Sequence, residues 1–172
     1  MPFAYYKRLS PTRQAIYRRS DSITSISLPA PGKLQPYLHP LSTALGDENP
    51  PRLQQACQSI ADEILRQLQV PPVQVIVLDV RPSDSYGELH GLYEPSDPPY
   101  LCRVTLWMRT AHREQVVAFR TFLRTLLHEL LHHLDYEHFE LQETFHTAGF
   151  YRRESSLYHQ IKPTSKEVPK SP

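Results

Sequence analysis

The placement of proline constrains this chain more than any other feature. Its seventeen prolines leave one long stretch, from Tyr100 to Ile161, free of them. Proline lacks an N–H and its ring clashes with the preceding turn, so long helices belong in that stretch or between proline pairs. From Gln115 to about Tyr136, apolar side chains recur at helical spacing (Val116, Phe119, Leu123, Leu126, Leu127, Leu130, Leu131, Leu134), which predicts the longest helix. A second helix is expected from Phe150 to Ile161. Upstream, Leu53, Ala56, Cys57, Ile60, Ala61, Ile64, Leu65 and Leu68 mark an amphipathic helix opened by Pro50-Pro51 and closed by Pro71-Pro72. Val73 to Val80 is rich in β-branched residues and reads as a buried strand, with two more strands expected at Gly87 to Tyr93 and Leu101 to Met108.

These elements predict an α+β fold with a small mixed sheet packed on one long helix. With 172 residues, 40% of them hydrophobic and 22% charged, the chain suits one compact domain. Residues 1–27 read as a basic helical segment starting at Ser10-Pro11. Residues 28–51, with six prolines and two glycines, read as an extended connector wrapping the surface. The main domain is expected over 52–161, and the polar tail 162–172 is expected to be disordered. A net charge of +1 gives no global field that would by itself suggest a nucleic-acid or membrane partner. No apolar run approaches the roughly 18 residues needed to span a bilayer, and MPFAYYKRLS lacks the hydrophobic core of a secretory signal, so a soluble cytoplasmic protein is expected. Cys57 and Cys102 alone exclude a disulfide scaffold or a four-cysteine zinc ribbon.

Histidine is the unusual residue. Nine are present, and His128, His132, His133, His138 and His146 fall within nineteen positions. His128-Glu129-Leu130-Leu131-His132 is an HExxH pattern inside the long helix. Four residues turn a helix by about 400° and raise it about 6 Å, so both imidazoles share a face and can share one metal ion. Glu129 sits about 100° away, able to reach a metal-bound water without ligating. A zinc ion on three protein ligands brings its water's pKa toward 7, and the carboxylate takes the proton during attack. The bland alternative is a polar stripe on a solvated helix. Against it, LLHELLHHL sets these groups among leucines, and a buried glutamate beside two imidazoles needs a partner, which a cation supplies.

The third ligand has three candidates. His146-Thr147-Ala148-Gly149-Phe150, fourteen residues after His132, resembles the HGxxF element of the SprT-like (Spartan-type) metallopeptidases. That resemblance covers about residues 115 to 160. It implies a minimal zincin fold, zinc on His128, His132 and His146, Glu129 as general base, and a protein or peptide substrate. It also implies that extended substrate adds to a sheet edge, formed by the Leu101 to Met108 strand or the neighbouring Gly87 to Tyr93 segment. The DNA-linked role of some relatives would suit phosphate contacts by the basic N-terminal helix. His138 is the second candidate, at the spacing of the metzincins and of the YbeY-type endoribonucleases, which makes a metal-dependent nuclease the main rival. In an unbroken helix it would lie about 15 Å along the axis from His128. Glu154 is the gluzincin-like candidate, or else a carboxylate orienting a ligand imidazole. A third reading is a non-enzymatic module whose zinc only stabilises the fold. Asp135 could accept from His132, while Tyr151, Tyr158 and His159 could donate to an oxyanion. His133 and His90 read as structural or exposed.

Overall fold

The computed structural model describes residues 2–85 and 87–164. A 3-10 turn over Ala4–Arg8 leads into α1 (Pro11–Ser22). The Ser10 hydroxyl accepts the Arg13 N–H, and Pro11 occupies the first turn, where its missing N–H loses nothing. Three of the basic side chains here are engaged within the fold. Arg13 pairs with Glu143, Arg18 donates to the Tyr6 hydroxyl, and Arg19 donates to the Phe139 and Glu140 carbonyls.

The proline-rich stretch departs from the expected extended connector. Pro31–Leu34 forms a 3-10 turn running into α2 (Gln35–Gly46), which packs on α3 (Pro50–Leu68). Pro36 lies in the first turn of α2, and Pro40 removes a single hydrogen bond farther along. Burial of Leu38, Leu41, Ala44 and Leu45 along one face offsets that loss. The boundaries of α3 agree with the sequence signals. The Asn49 side chain caps its start, and Gln69, left-handed at φ 56°, ends it before Pro71-Pro72.

The strands are β1 (Val73–Val80), β2 (Ser83–Asp84), β3 (Gly87–Glu88), β4 (Gly91–Glu94) and β5 (Cys102–Arg109). The main sheet is mixed, in the order β1-β5-β4, with β5 parallel to β1 and antiparallel to β4. A single strand over Gly87 to Tyr93 was the sequence expectation. The chain instead changes sheets at Leu89-His90: β3 closes a two-stranded ribbon with β2, and β4 joins the main sheet. Since β5 is paired on both sides, it is not the edge strand that the sequence left open, and β4 is the edge beside the long helix.

That helix, α4 (Phe119–Glu137), starts later than the apolar spacing implies, because Val116 and Val117 still pair with Arg109 and Met108 of β5. Leu123, Leu126, Leu127, Leu130, Leu131 and Leu134 are wholly buried between the sheet and the other helices. α5 (Ala148–Ile161) follows, capped by Thr147, whose hydroxyl accepts the Phe150 N–H. α5 packs on both α4 and α1. Among the described residues, no helix is long and apolar enough to cross a membrane. Of the tail, residues 165–172 lie outside the described residues.

Candidate metal centre

His128 and His132 lie one turn apart on α4, and His146 stands two residues before α5. Nε2 of His146 is 3.0 Å from Nε2 of His128 and 3.1 Å from Nε2 of His132. The fold therefore brings together the three histidines of the SprT-like reading, each offering one nitrogen to a common point. The rivals stand elsewhere. His138 follows the last residue of α4 with its ring against Phe139, because the helix runs unbroken through Glu137 and carries it away from His128. Glu154, on α5, does not join the three nitrogens. Its Oε2 lies 3.0 Å from Nδ1 of His128, and Arg124 holds the other oxygen at 2.9 Å.

The far side of each α4 imidazole is fixed by a partner. His128 Nδ1–H donates to Glu154. His132 Nδ1 is 2.8 Å from the Thr144 hydroxyl, which donates to Asp135 Oδ2 at 2.9 Å, so the imidazole must be the donor to Thr144. Asp135 is wholly buried and takes Arg153 on its other oxygen at 2.8 Å. With Nδ1 protonated on both rings, each Nε2 presents a lone pair to the shared point. Phe150 lies beneath, its ring 5.0, 4.8 and 5.1 Å from those of His128, His132 and His146. Tyr151 stacks on His146 from the solvent side.

This donor set fits zinc. Nε2 of His146 lies 3.0–3.1 Å from both other Nε2 atoms and, on a neutral ring, carries one proton at most, so it can donate to only one of them, whereas a cation at the shared point would accept all three lone pairs. A tetrahedral zinc with bonds of about 2.0–2.1 Å spaces its ligand nitrogens about 3.3 Å apart, within a few tenths of an ångström of that arrangement. Burial pulls His132 down to about 3, with His128 and His146 adding to the effect, and burial also lowers His146. Both are thus neutral at pH 7 and free to ligate. Glu154 is held below the usual carboxylate range: burial opposes this, but His128 and Arg124 together prevail.

Glu129 is buried against β4 and pushed up to about 7 by that burial, while His128 and the Tyr93 backbone N–H pull the other way. It faces a cleft of about 730 Å³ between β4 and α4, into which all three histidines open. His90 and Tyr136 line this cleft as well. His133 does not: it is buried, with Nε2–H donating to the Pro71 carbonyl and Nδ1 accepting from the Tyr93 hydroxyl. Tyr158 lies buried beneath the Arg124 guanidinium, and His159 is exposed and bonded to the Ser155 carbonyl.

Thr144, Arg153, Tyr93 and Gly91 did not stand out in the sequence. Only Arg124 carried a local signal, lying four residues before His128 on the same helical face. Compared with protein families, with curated proteins and with solved structures, the chain has no match.

Proposed function

We propose that this protein is a zinc-dependent metallopeptidase of minimal zincin type, akin to the SprT-like enzymes. His128, His132 and His146 hold the metal and Glu129 is the general base. The observation that carries the reading is the convergence of three imidazole Nε2 atoms beside a buried carboxyl on an open cleft. A structural zinc site is closed by four protein ligands. Among the described residues this group has three, and it borders a cavity large enough for a peptide segment.

Zinc at this point would supply a water acidic enough to attack near neutral pH and a positive charge facing the carbonyl oxygen. The remaining work falls to the chain's own side chains. Glu129, at about 7, is poised to accept a proton near neutrality and return it to the leaving amine. The edge of β4 offers main-chain hydrogen bonds to an extended peptide laid along the cleft. Tyr151, half-exposed and stacked on His146, is the nearest of the proposed oxyanion donors to the metal group. The nuclease reading needs His138 as a ligand, and no comparable geometry favours it.

Elemental analysis of purified protein tests the ligand set. About one zinc per chain is expected in wild type and in His138→Ala, and none in His146→Ala. Glu129→Gln should keep its zinc while peptide hydrolysis falls by about 10²–10⁴. No zinc in reconstituted wild type, or unchanged turnover in Glu129→Gln, rejects the proposal.

A further inference from the structure

Gly91 opens β4 directly against Glu129. A Cβ placed on Gly91 would lie 2.5 Å from Glu129 Oε1, 2.7 Å from Cγ and 2.9 Å from Cδ. The acidic side chain thus rests on bare backbone along its length. Rotating the carboxylate alone would not admit a methyl group, because Cγ is also too close. The side chain would have to leave its rotamer.

Two residues farther along the strand, the Tyr93 backbone N–H faces the same carboxyl and works to lower its pKa. Tyr93 is itself pinned. Its hydroxyl donates to Nδ1 of His133 at 3.1 Å, and the buried His133 is anchored on the Pro71 carbonyl at 2.8 Å. Its ring stacks near His132, with centroids 6.3 Å apart and planes at 22°. One short strand therefore touches Glu129 through its backbone and the histidine group through a side chain. That explains why His133, adjacent to a proposed ligand but pointing away from it, is buried with both nitrogens bonded.

We propose that Gly91 and the Tyr93 amide form a seat that positions Glu129, making Gly91 a positioning residue for the hydrolysis proposed above, on which this inference rests. Gly91 serves by leaving space rather than by an unusual backbone angle. Any side chain there swings the carboxyl off the Tyr93 N–H and away from the point where the histidine nitrogens meet. The fold is kept, since only one side chain must move.

The test combines Gly91→Ala and Glu129→Ala, singly and together, in the full chain. The first readout is hydrogen exchange of the Tyr93 amide by NMR on metal-free protein. Gly91→Ala should speed exchange about tenfold, as Glu129→Ala does, and the double variant should show no further increase. The second readout is on zinc-loaded protein with a peptide substrate. Gly91→Ala should keep one zinc and a KM within about twofold, while kcat falls to the level of Glu129→Gln. Wild-type exchange at Tyr93 in Gly91→Ala, an equal acceleration added on top of Glu129→Ala, or an unchanged kcat would each overturn the seat. If wild-type protein cleaves no peptide, the peptidase reading falls alone, and the exchange measurement still decides whether Gly91 seats Glu129.

Discussion

Thr144 is a small residue with a large assignment. Its hydroxyl links His132 Nδ1 to the buried Asp135 carboxylate, and the direction of each hydrogen bond in that chain is forced. Valine at this position has the same shape without the relay, stranding an imidazole N–H and a carboxylate oxygen away from water. Thr144→Val should therefore weaken zinc affinity about 10–100-fold, the usual effect of losing an outer partner of a ligand histidine. Glu154→Gln should weaken it less, because an amide oxygen still accepts from His128 Nδ1–H and only the charge is lost. Competition with a chromogenic chelator measures both. Equal affinities in wild type and Thr144→Val would mean that α4 alone orients His132. This relay was half legible in the sequence. Asp135, seven residues after His128, lies on nearly the same helical face and was a candidate partner of His132. The intervening hydroxyl comes from a loop whose path no local pattern encodes.

At the scale of elements, the helix bearing HExxH was legible because its leucines repeat with the helical period and its prolines are absent. The loop delivering His146 was legible only through a resemblance, since nothing in residues 138–147 fixes how that loop folds back. The structure gives the reason it does so: α1 holds it. Arg13 pairs with Glu143, Tyr17 packs on Phe145, and Ser20 and Ile23 offer their carbonyls to Arg153, which in turn holds Asp135. The segment read as a basic appendage is thus the outer support of the metal group. The two helices approach closely at Gly149, where a Cβ would collide with the Asp21 carbonyl oxygen and meet that of Ser20 at 2.6 Å. Those are backbone atoms, so Gly149→Ala should push α1 from α5 and destabilise the protein by about 1–3 kcal/mol. Because His146 lies three residues away, zinc affinity should fall in the same variant. Thermal melting with and without zinc checks this. A variant that melts lower but binds zinc normally would show that α1 supports the fold and not the loop. The proline-rich stretch hides its helix for a related reason. Its prolines mark where a helix is weakened, and only the α3 surface shows that burying Leu38, Leu41 and Leu45 outweighs that weakness.

For the whole molecule, two strongly perturbed site groups, Glu129 and His132, act on stability in opposite directions. Glu129 rises from 4.5 to about 7 on folding, so the folded state holds its proton more tightly than the unfolded chain. Its contribution is fully present below pH 4.5 and is lost as pH rises through 7. His132 falls from 6.5 to about 3, so the folded state resists protonation. Its contribution is complete above pH 6.5 and is lost as pH falls toward 3. Between pH 4.5 and 6.5 the slopes oppose each other, each on the order of 1.4 kcal/mol per pH unit, and metal-free wild type draws a nearly flat contribution from this pair. Glu129→Gln removes one of the two, and its metal-free form should lose stability as pH falls through that window, at about the rate set by His132. Every other titrating group is common to both proteins, so the difference between their denaturant-melting curves over pH isolates Glu129. Parallel curves would place the Glu129 carboxyl in water rather than against β4. Zinc should shrink the difference near neutral pH, because a cation beside Glu129 favours the ionised carboxyl and draws its pKa back toward the unfolded value. It should do so only in proteins that keep His146. The same pH series in His146→Ala, with zinc added, therefore separates a carboxyl that is merely buried from one that is buried beside a metal.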